Sequence, residues 1–188
     1  MERNQKRTTL KAVEFLFDEK LGKDNILKSF PYLILDLGCG SGFSSEVLIE
    51  QGYRVIGIDL LLDMLSKSFD KKKKHGYQNL ELILGDINNM PLRYNSIDHI
   101  ISISAYNFII YKHEGPTNSK KVINNTARNL NKILKKDGRL IIEFYPENDT
   151  ELKLFVNSFL LNDFNGYMIK NNPKQKSGQT FLCLIKER

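Results

Sequence analysis

With only two cysteines, Cys39 and Cys183, the chain carries no disulfide framework and no cysteine set for zinc. The three histidines, His75, His99 and His113, stand at spacings that suit no metal site, so no metal is expected. No apolar run approaches the roughly 18–20 residues that a membrane helix needs. The opening Met1-Glu2-Arg3-Asn4-Gln5-Lys6-Arg7 leads into an amphipathic stretch and lacks the apolar centre of a signal peptide. These absences give the expectation of a cytoplasmic protein with no membrane partner. Repeats and low-complexity linkers are also missing, and 188 residues suit one domain spanning 1–188 but not two ordinary ones. What is present is 41% hydrophobic and 27% charged residues, a globular balance that excludes a disordered chain. A formal charge of +6 favours polyanionic partners through long-range attraction.

Apolar runs alternate with helical patterns, which predicts a doubly wound α/β sheet. Thr8 or Thr9 is placed to cap a first helix containing Leu10, Val13, Phe15, Leu16 and Phe17. Strands are expected at 32–37, 53–59, 80–84, 97–104, 139–145, 166–171 and 180–186. Helices fall between them at 44–51, 61–74, 118–135 and 151–161, with Gly52, Gly76 and Asp137-Gly138 as stops.

The strongest chemical signal is Leu35-Asp36-Leu37-Gly38-Cys39-Gly40-Ser41-Gly42, between a buried strand and a helix. There a glycine-rich turn brings backbone close to a nucleoside ligand. Asp59 ends the next strand, where a carboxylate can accept from both ribose hydroxyls. A dinucleotide fingerprint would place its third glycine where Phe43 stands. Gly85-Asp86-Ile87 follows the third strand; alone, Asp86 reads as a turn residue, and Asp98 reads as structural. Arg7 and Lys11 are candidates for a ligand carboxylate, with surface solvation the better reading of either. The run Asp70-Lys71-Lys72-Lys73-Lys74-His75 suits a solvated helix end more than an RNA contact. Lys170, Lys174 and Lys176 fit a backbone grip or a solvated hairpin equally.

The Asp36–Gly42 string resembles motif I of class I S-adenosylmethionine-dependent methyltransferases. The resemblance implies a Rossmann-like, seven-stranded, mostly parallel sheet of order 3-2-1-4-5-7-6, its last strand antiparallel, flanked by helices. It also implies S-adenosylmethionine as cofactor, held by Asp36, Gly38, Cys39, Gly40, Gly42, Asp59, Leu60, Asp86, Ile87 and Ser104. Asp36 would orient the loop and the amino-acid moiety, and Asp86 would take the adenine amine. The end of the fourth strand would border the methyl acceptor, making Tyr106, Asn107 and Phe108 the catalytic candidates. An amide there offers donor and acceptor and an aromatic ring can stack on a base, although both rings also suit core or lid packing.

Ile101-Ser102-Ile103-Ser104-Ala105, Tyr145-Pro146-Glu147-Asn148 and Phe181-Leu182-Cys183-Leu184 narrow the resemblance to the small-subunit ribosomal RNA guanine-N7 methyltransferases. That family implies ribosomal RNA as substrate. It also implies a small zinc-ribbon activator protein that adds a strand to the edge at 80–84. Set against eukaryotic members, the chain is expected to lack their long basic carboxy-terminal extension. It also has Tyr106, Asn107 and Phe108 where they have an aliphatic residue, Gln and Trp. Two other readings share the same cofactor site: a methyltransferase for quinone- or phenol-like small molecules, and a cofactor-holding RNA-binding assembly factor with dispensable catalysis.

Overall fold

The computed structural model describes residues 2–22, 31–106, 116–170 and 179–187. Helix α1 (Glu2–Leu16) and a short 3-10 turn (Glu19–Leu21) precede β1 (Leu33–Leu37). There follow α2 (Phe43–Glu50), β2 (Arg54–Asp59), α3 (Leu62–His75), β3 (Leu80–Leu84) and β4 (Ile97–Ser102). The second half holds α4 (Pro116–Ile133), β5 (Leu134–Phe144), α5 (Asp149–Leu160), β6 (Phe164–Lys170) and β7 (Thr180–Lys186). All seven strands form one sheet in the order β3-β2-β1-β4-β5-β7-β6. Strands β1 to β5 run parallel, and β7 is antiparallel to both β5 and β6. The expected architecture is therefore present.

The parallel strands read as near-continuous apolar runs because both faces of the sheet are covered. Leu35, Leu37, Ile100, Leu140 and Ile142 point to one face, against Ile123, Ala127 and Leu130 of α4 and Phe155 and Phe159 of α5. Ile34, Val55, Ile101, Ile141 and Phe181 point to the other, against Ala12 and Leu16 of α1 and Leu48 of α2. No helix among the described residues is long and apolar enough to cross a membrane.

Most boundaries shift by one or two residues, and three of the differences have a clear local reason. Helix α1 begins at Glu2, and Thr8 and Thr9 lie buried inside it. Thr9 Oγ1 donates to Gln5 O at 2.8 Å, so the hydroxyl is satisfied by the preceding turn and caps nothing. Strand β5 begins at Leu134, so Asp137-Gly138 is a bulge inside the pairing with β4 rather than a helix stop. The register jumps from Ile97↔Leu134 to His99↔Arg139. Glycine is needed there because a Cβ at Gly138 would lie 2.8 Å from Lys135 O and 2.9 Å from Asp98 O. Strand β4 stops at Ser102, two residues early, because Ser104 takes φ +59° and turns its N–H to Glu143.

The base of the sheet is tied by buried polar groups. The Arg139 guanidinium, 1% exposed, donates to Leu16 O and to Gly22 O, both at 2.7 Å, fixing the chain that leaves α1 onto β5. His99 Nδ1 accepts the Arg139 backbone N–H at 3.2 Å. Its ring stands edge-on to Tyr32 at 4.7 Å. Asp98 is structural as expected: it accepts the Leu33 N–H at 2.8 Å and pairs with Lys135 at 2.6 Å.

Candidate active site

The parallel strands all end on one side of the sheet, and the loop after β1 lies there. Gly38 and Cys39 both donate N–H groups to Ile58 O, at 2.9 and 3.0 Å, so the loop bends across the end of β2. Gly38 has φ +74°, and a Cβ on it would stand 2.3 Å from the Ala105 Cβ, so no other residue fits. Asp59 fixes the loop from the other side. Its Oδ2 accepts the Gly40 N–H at 2.8 Å and its Oδ1 accepts the Leu61 N–H at 2.9 Å. Each carboxylate oxygen has two lone-pair sites, so both retain capacity for a ligand hydroxyl.

These elements wall a cavity of about 720 Å³, in the range of sites for nucleoside-sized ligands. Gly38, Cys39, Gly40, Asp59 and Leu60 line one part of it. Asp86 and Ile87 line a second, and Ser104 with Ile103 a third. Asp86 Oδ1 accepts the backbone and side-chain N–H groups of Asn88 at 2.9 and 3.0 Å, so this residue shapes its turn as well as lining the cavity. Burial pushes the Cys39 thiol far above its ordinary range, which makes it an inert wall rather than a nucleophile.

Two residues expected to touch the cofactor stand behind the cavity instead. Asp36 is fully buried, and its Oδ2 accepts from Ser44 Oγ at 2.7 Å and Ser45 Oγ at 2.5 Å, binding β1 to the first turn of α2. It thus orients the loop from beneath, as expected, and is not among the residues that line the cavity. Gly42 serves packing: it takes φ +81°, and a Cβ there would lie 2.4 Å from Ser68 Oγ and 3.1 Å from its Cβ, so α3 packs tightly on the loop.

The acceptor side also differs. Tyr106 is 1% exposed, its ring edge-on to Phe144 and Phe155 at 5.4 and 4.9 Å, and its hydroxyl donates to Glu151 at 2.7 Å. It is a core residue and does not face a substrate. Asn107 and Phe108 lie outside the described residues, as do Lys174 and Lys176 of the hairpin; Lys170 is exposed. The wall at this end is held by Glu143, 1% exposed, whose Oε2 accepts the Ser104 N–H at 3.0 Å and its hydroxyl at 3.2 Å. Gln179 at 3.0 Å and the Tyr145 hydroxyl donate to the other oxygen. Burial and the Glu143 carboxylate hold the Tyr145 phenol well above its ordinary value.

Sequence reasoning missed a further side of the cavity, formed by Gln5, Phe43, Met64, Lys67 and Lys71. Met64, Lys67 and Lys71 recur at i, i+3 and i+7, a helix-face signal that was open to reading. The lysine run is therefore not uniformly solvated: Lys71 Nζ stands 3.2 Å from the Phe43 ring centroid. Lys72 pairs with Glu81 at 3.4 Å. Arg7 is exposed and Lys11 pairs with Glu14, so neither lines the cavity.

Burial raises the Asp36 carboxyl from 3.8 to about 6 and lowers the His99 imidazole from 6.5 to about 4. The two act on stability with opposite sign. Between pH 6.5 and 4 the unfolded chain takes a proton that folded His99 refuses, so acidification costs stability. From about pH 6 down to 3.8, folded Asp36 takes a proton that the unfolded chain still refuses, so acidification adds stability. The wild-type profile should therefore be shallow in that window. Asp36→Asn leaves His99 unopposed and should lose about 3 kcal/mol between pH 6.5 and 4 by chemical denaturation. Parallel profiles for the two proteins would refute this balance.

Residues 32–181 match the family model described as Methyltransferase domain. Among curated proteins, the chain is 30% identical over 157 residues to the 18S rRNA (guanine-N(7))-methyltransferase of Mus musculus, covering 82% of this chain and 54% of that protein. It is 28% identical over 163 residues to the enzyme of the same description from Schizosaccharomyces pombe, covering 82% of this chain and 57% of that protein. The chain thus spans about half the length of the curated relatives it matches. Solved structures share the fold. The PH0226 protein from Pyrococcus horikoshii superposes with TM-score 0.71 at 18% identity, covering 97% of this chain and 91% of that one. Geranyl diphosphate C-methyltransferase from Streptomyces coelicolor, solved with S-adenosyl-L-homocysteine, gives TM-score 0.70 at 12% identity, covering 95% and 79%. The family match spans all five parallel strands and the glycine loop that closes the cavity, and so the chain belongs to the methyltransferase domain family.

Proposed function

We propose that this chain transfers a methyl group from S-adenosylmethionine to guanine N7 in small-subunit ribosomal RNA. The observation that carries the substrate is that six curated relatives, at 28–30% identity, share that activity in their descriptions. The basic excess of the chain agrees with an RNA substrate.

The residues present fit the cofactor. The Gly38 approach, the two acceptor oxygens of Asp59 and the apolar wall at Ile87 suit a nucleoside with a free ribose. When bound, S-adenosylmethionine supplies a methyl group on cationic sulfur. Asp59 accepts the ribose hydroxyls, Leu60 and Ile87 pack on the adenine, and Asp86 takes its amine. Gly38, Cys39 and Gly40 line the approach of the amino-acid moiety, and Ser104, held by Glu143, sets the acceptor-side wall. Guanine N7 carries an in-plane lone pair and no proton, so the chain needs no general base; its part is to align the reactants and exclude water. Asn107 is assigned the base edge and Phe108 the stacking, on the family resemblance.

The same reading makes 1–188 one domain, places it in the cytoplasm and gives it an activator subunit. Strand β3 is a sheet edge and its last residue, Leu84, is 54% exposed, which suits strand addition by a small partner. The test supplies labelled S-adenosylmethionine to small ribosomal subunits lacking the modification, with and without the activator from the same source. N7-methylguanosine should appear at one site in the small-subunit RNA and fall sharply with Asn107→Ala. Label on a small metabolite or on another base atom would reject the substrate.

A further inference from the structure

Helix α4, PTNSKKVINNTARNLNKI, contains four basic residues and no acidic one. Every other helix among the described residues contains at least one carboxylate. Its inner face is fixed by burial of Ile123, Ala127, Leu130 and Ile133, so its outer face is fixed as well. Lys121, Asn125, Arg128 and Lys132 are exposed and recur at i, i+4, i+7 and i+11, forming one stripe about 16 Å long. Among the described residues no carboxylate pairs with Lys121, Arg128 or Lys132. Arg128 and Lys132 are like charges at i, i+4, which weakens a helix unless a counter-anion lies over them. At the foot of the stripe Lys132 Nζ stands 5.5 Å from the ring of Tyr94, which is 68% exposed, and Arg93 beside it is exposed.

The stripe is registered against the cavity. Thr126 Oγ1 donates to Asn88 Oδ1, and Asn129 Nδ2 donates to Asn88 O at 3.1 Å. Asn88 follows Asp86 and Ile87, which line the cavity wall. Because β4 and β5 are parallel, the helix between them must start where the strands end and run back along the sheet. The upper end of the stripe therefore lies on the cavity side.

We infer that the outer face of α4, with Arg93 and Tyr94, binds the backbone of the RNA whose base enters the cavity. Unpaired cations spaced along one line match successive phosphates, and an exposed aromatic ring among them offers a stacking platform for a base. A membrane surface would call for apolar side chains between the cations, and the stripe has Asn125 there. The surface rests on the reading of RNA as substrate, and binding and methyl transfer are measured separately so that each can fail alone.

The probe is a short fluorescein-labelled single-stranded RNA of small-subunit sequence, titrated by anisotropy over a series of salt concentrations. Lys121→Gln/Arg128→Gln/Lys132→Gln keeps good helix formers at exposed positions. It should weaken binding by about tenfold to a hundredfold at 0.1 M salt and reduce the slope of log K against log salt by roughly 2. Lys73→Gln/Lys74→Gln/Lys153→Gln, with the same change in net charge, should leave the slope within about 0.5 of wild type. S-adenosylmethionine affinity and thermal midpoint should be those of wild type in both. An unchanged slope in the α4 variant, an equal loss in the control variant, or loss of binding to anionic vesicles instead of RNA would each overturn the assignment. Lost RNA affinity with no methylation of ribosomal RNA by the wild type would keep the surface and remove the substrate.

Discussion

Asp59→Ala is expected to weaken S-adenosylmethionine binding by about 100-fold, roughly 3 kcal/mol. Two losses add in that variant. The ribose loses its charged acceptor, and Gly40 and Leu61 lose the carboxylate that holds their N–H groups at 2.8 and 2.9 Å. Hydrogen bonds to a charged group are worth about 1.5–3 kcal/mol each, and part of that is recovered by water in this half-buried position. Asp59→Asn separates the two roles. Its amide oxygen can still accept from one backbone N–H, but its NH₂ then faces the other donor, so an intermediate loss is expected. Titration calorimetry on both variants, with circular dichroism to confirm folding, gives the values. An unchanged dissociation constant for Asp59→Ala would remove this residue from the cofactor site.

Arg139→Ala should cost about 3–5 kcal/mol of folding stability, a large share of the 5–15 kcal/mol typical of a domain. The side chain is 1% exposed and bridges Leu16 O and Gly22 O to β5 across 123 and 117 positions of sequence. Its removal leaves those carbonyls without their charged donor and opens a void under α1. For a chain of this length the thermal midpoint should drop by about 10 °C. Arg139→Lys keeps the charge but reaches one carbonyl at most, so it should recover less than half of the loss. A midpoint within about 2 °C of wild type for Arg139→Ala would show that the two carbonyls are satisfied without it.

Several elements were legible in the sequence because their causes are local. β3 and β7 have the expected bounds, since each is an apolar run cut off by turn residues. The glycine loop was legible for a related reason: positive φ and the absence of a Cβ are properties of single residues, and the strand before and helix after it are set by adjacent periodicity. Asp59 was found because its place at the end of β2 follows from strand length alone.

Tyr106 and Lys71 were misplaced by the sequence, and Asp36 was placed only in its loop-orienting role, because burial is not local. An aromatic after β4 faces a substrate or the core according to what packs over it, and here Phe144, Phe155 and Glu151 of β5 and α5 enclose it. Asp36 ends behind the loop because Ser44 and Ser45, brought round by the turn into α2, hold its carboxylate there. Glu143 carried no motif at all, and it matters because β5 sets it beside Ser104 at the end of β4, 39 residues away in sequence. The sequence by itself determined the order of elements, the loop and the acid that pins it, through turn chemistry and periodicity. Which side chains wall the cavity and which lie behind it was decided only when distant elements closed over the sheet, because that choice is made by long-range packing.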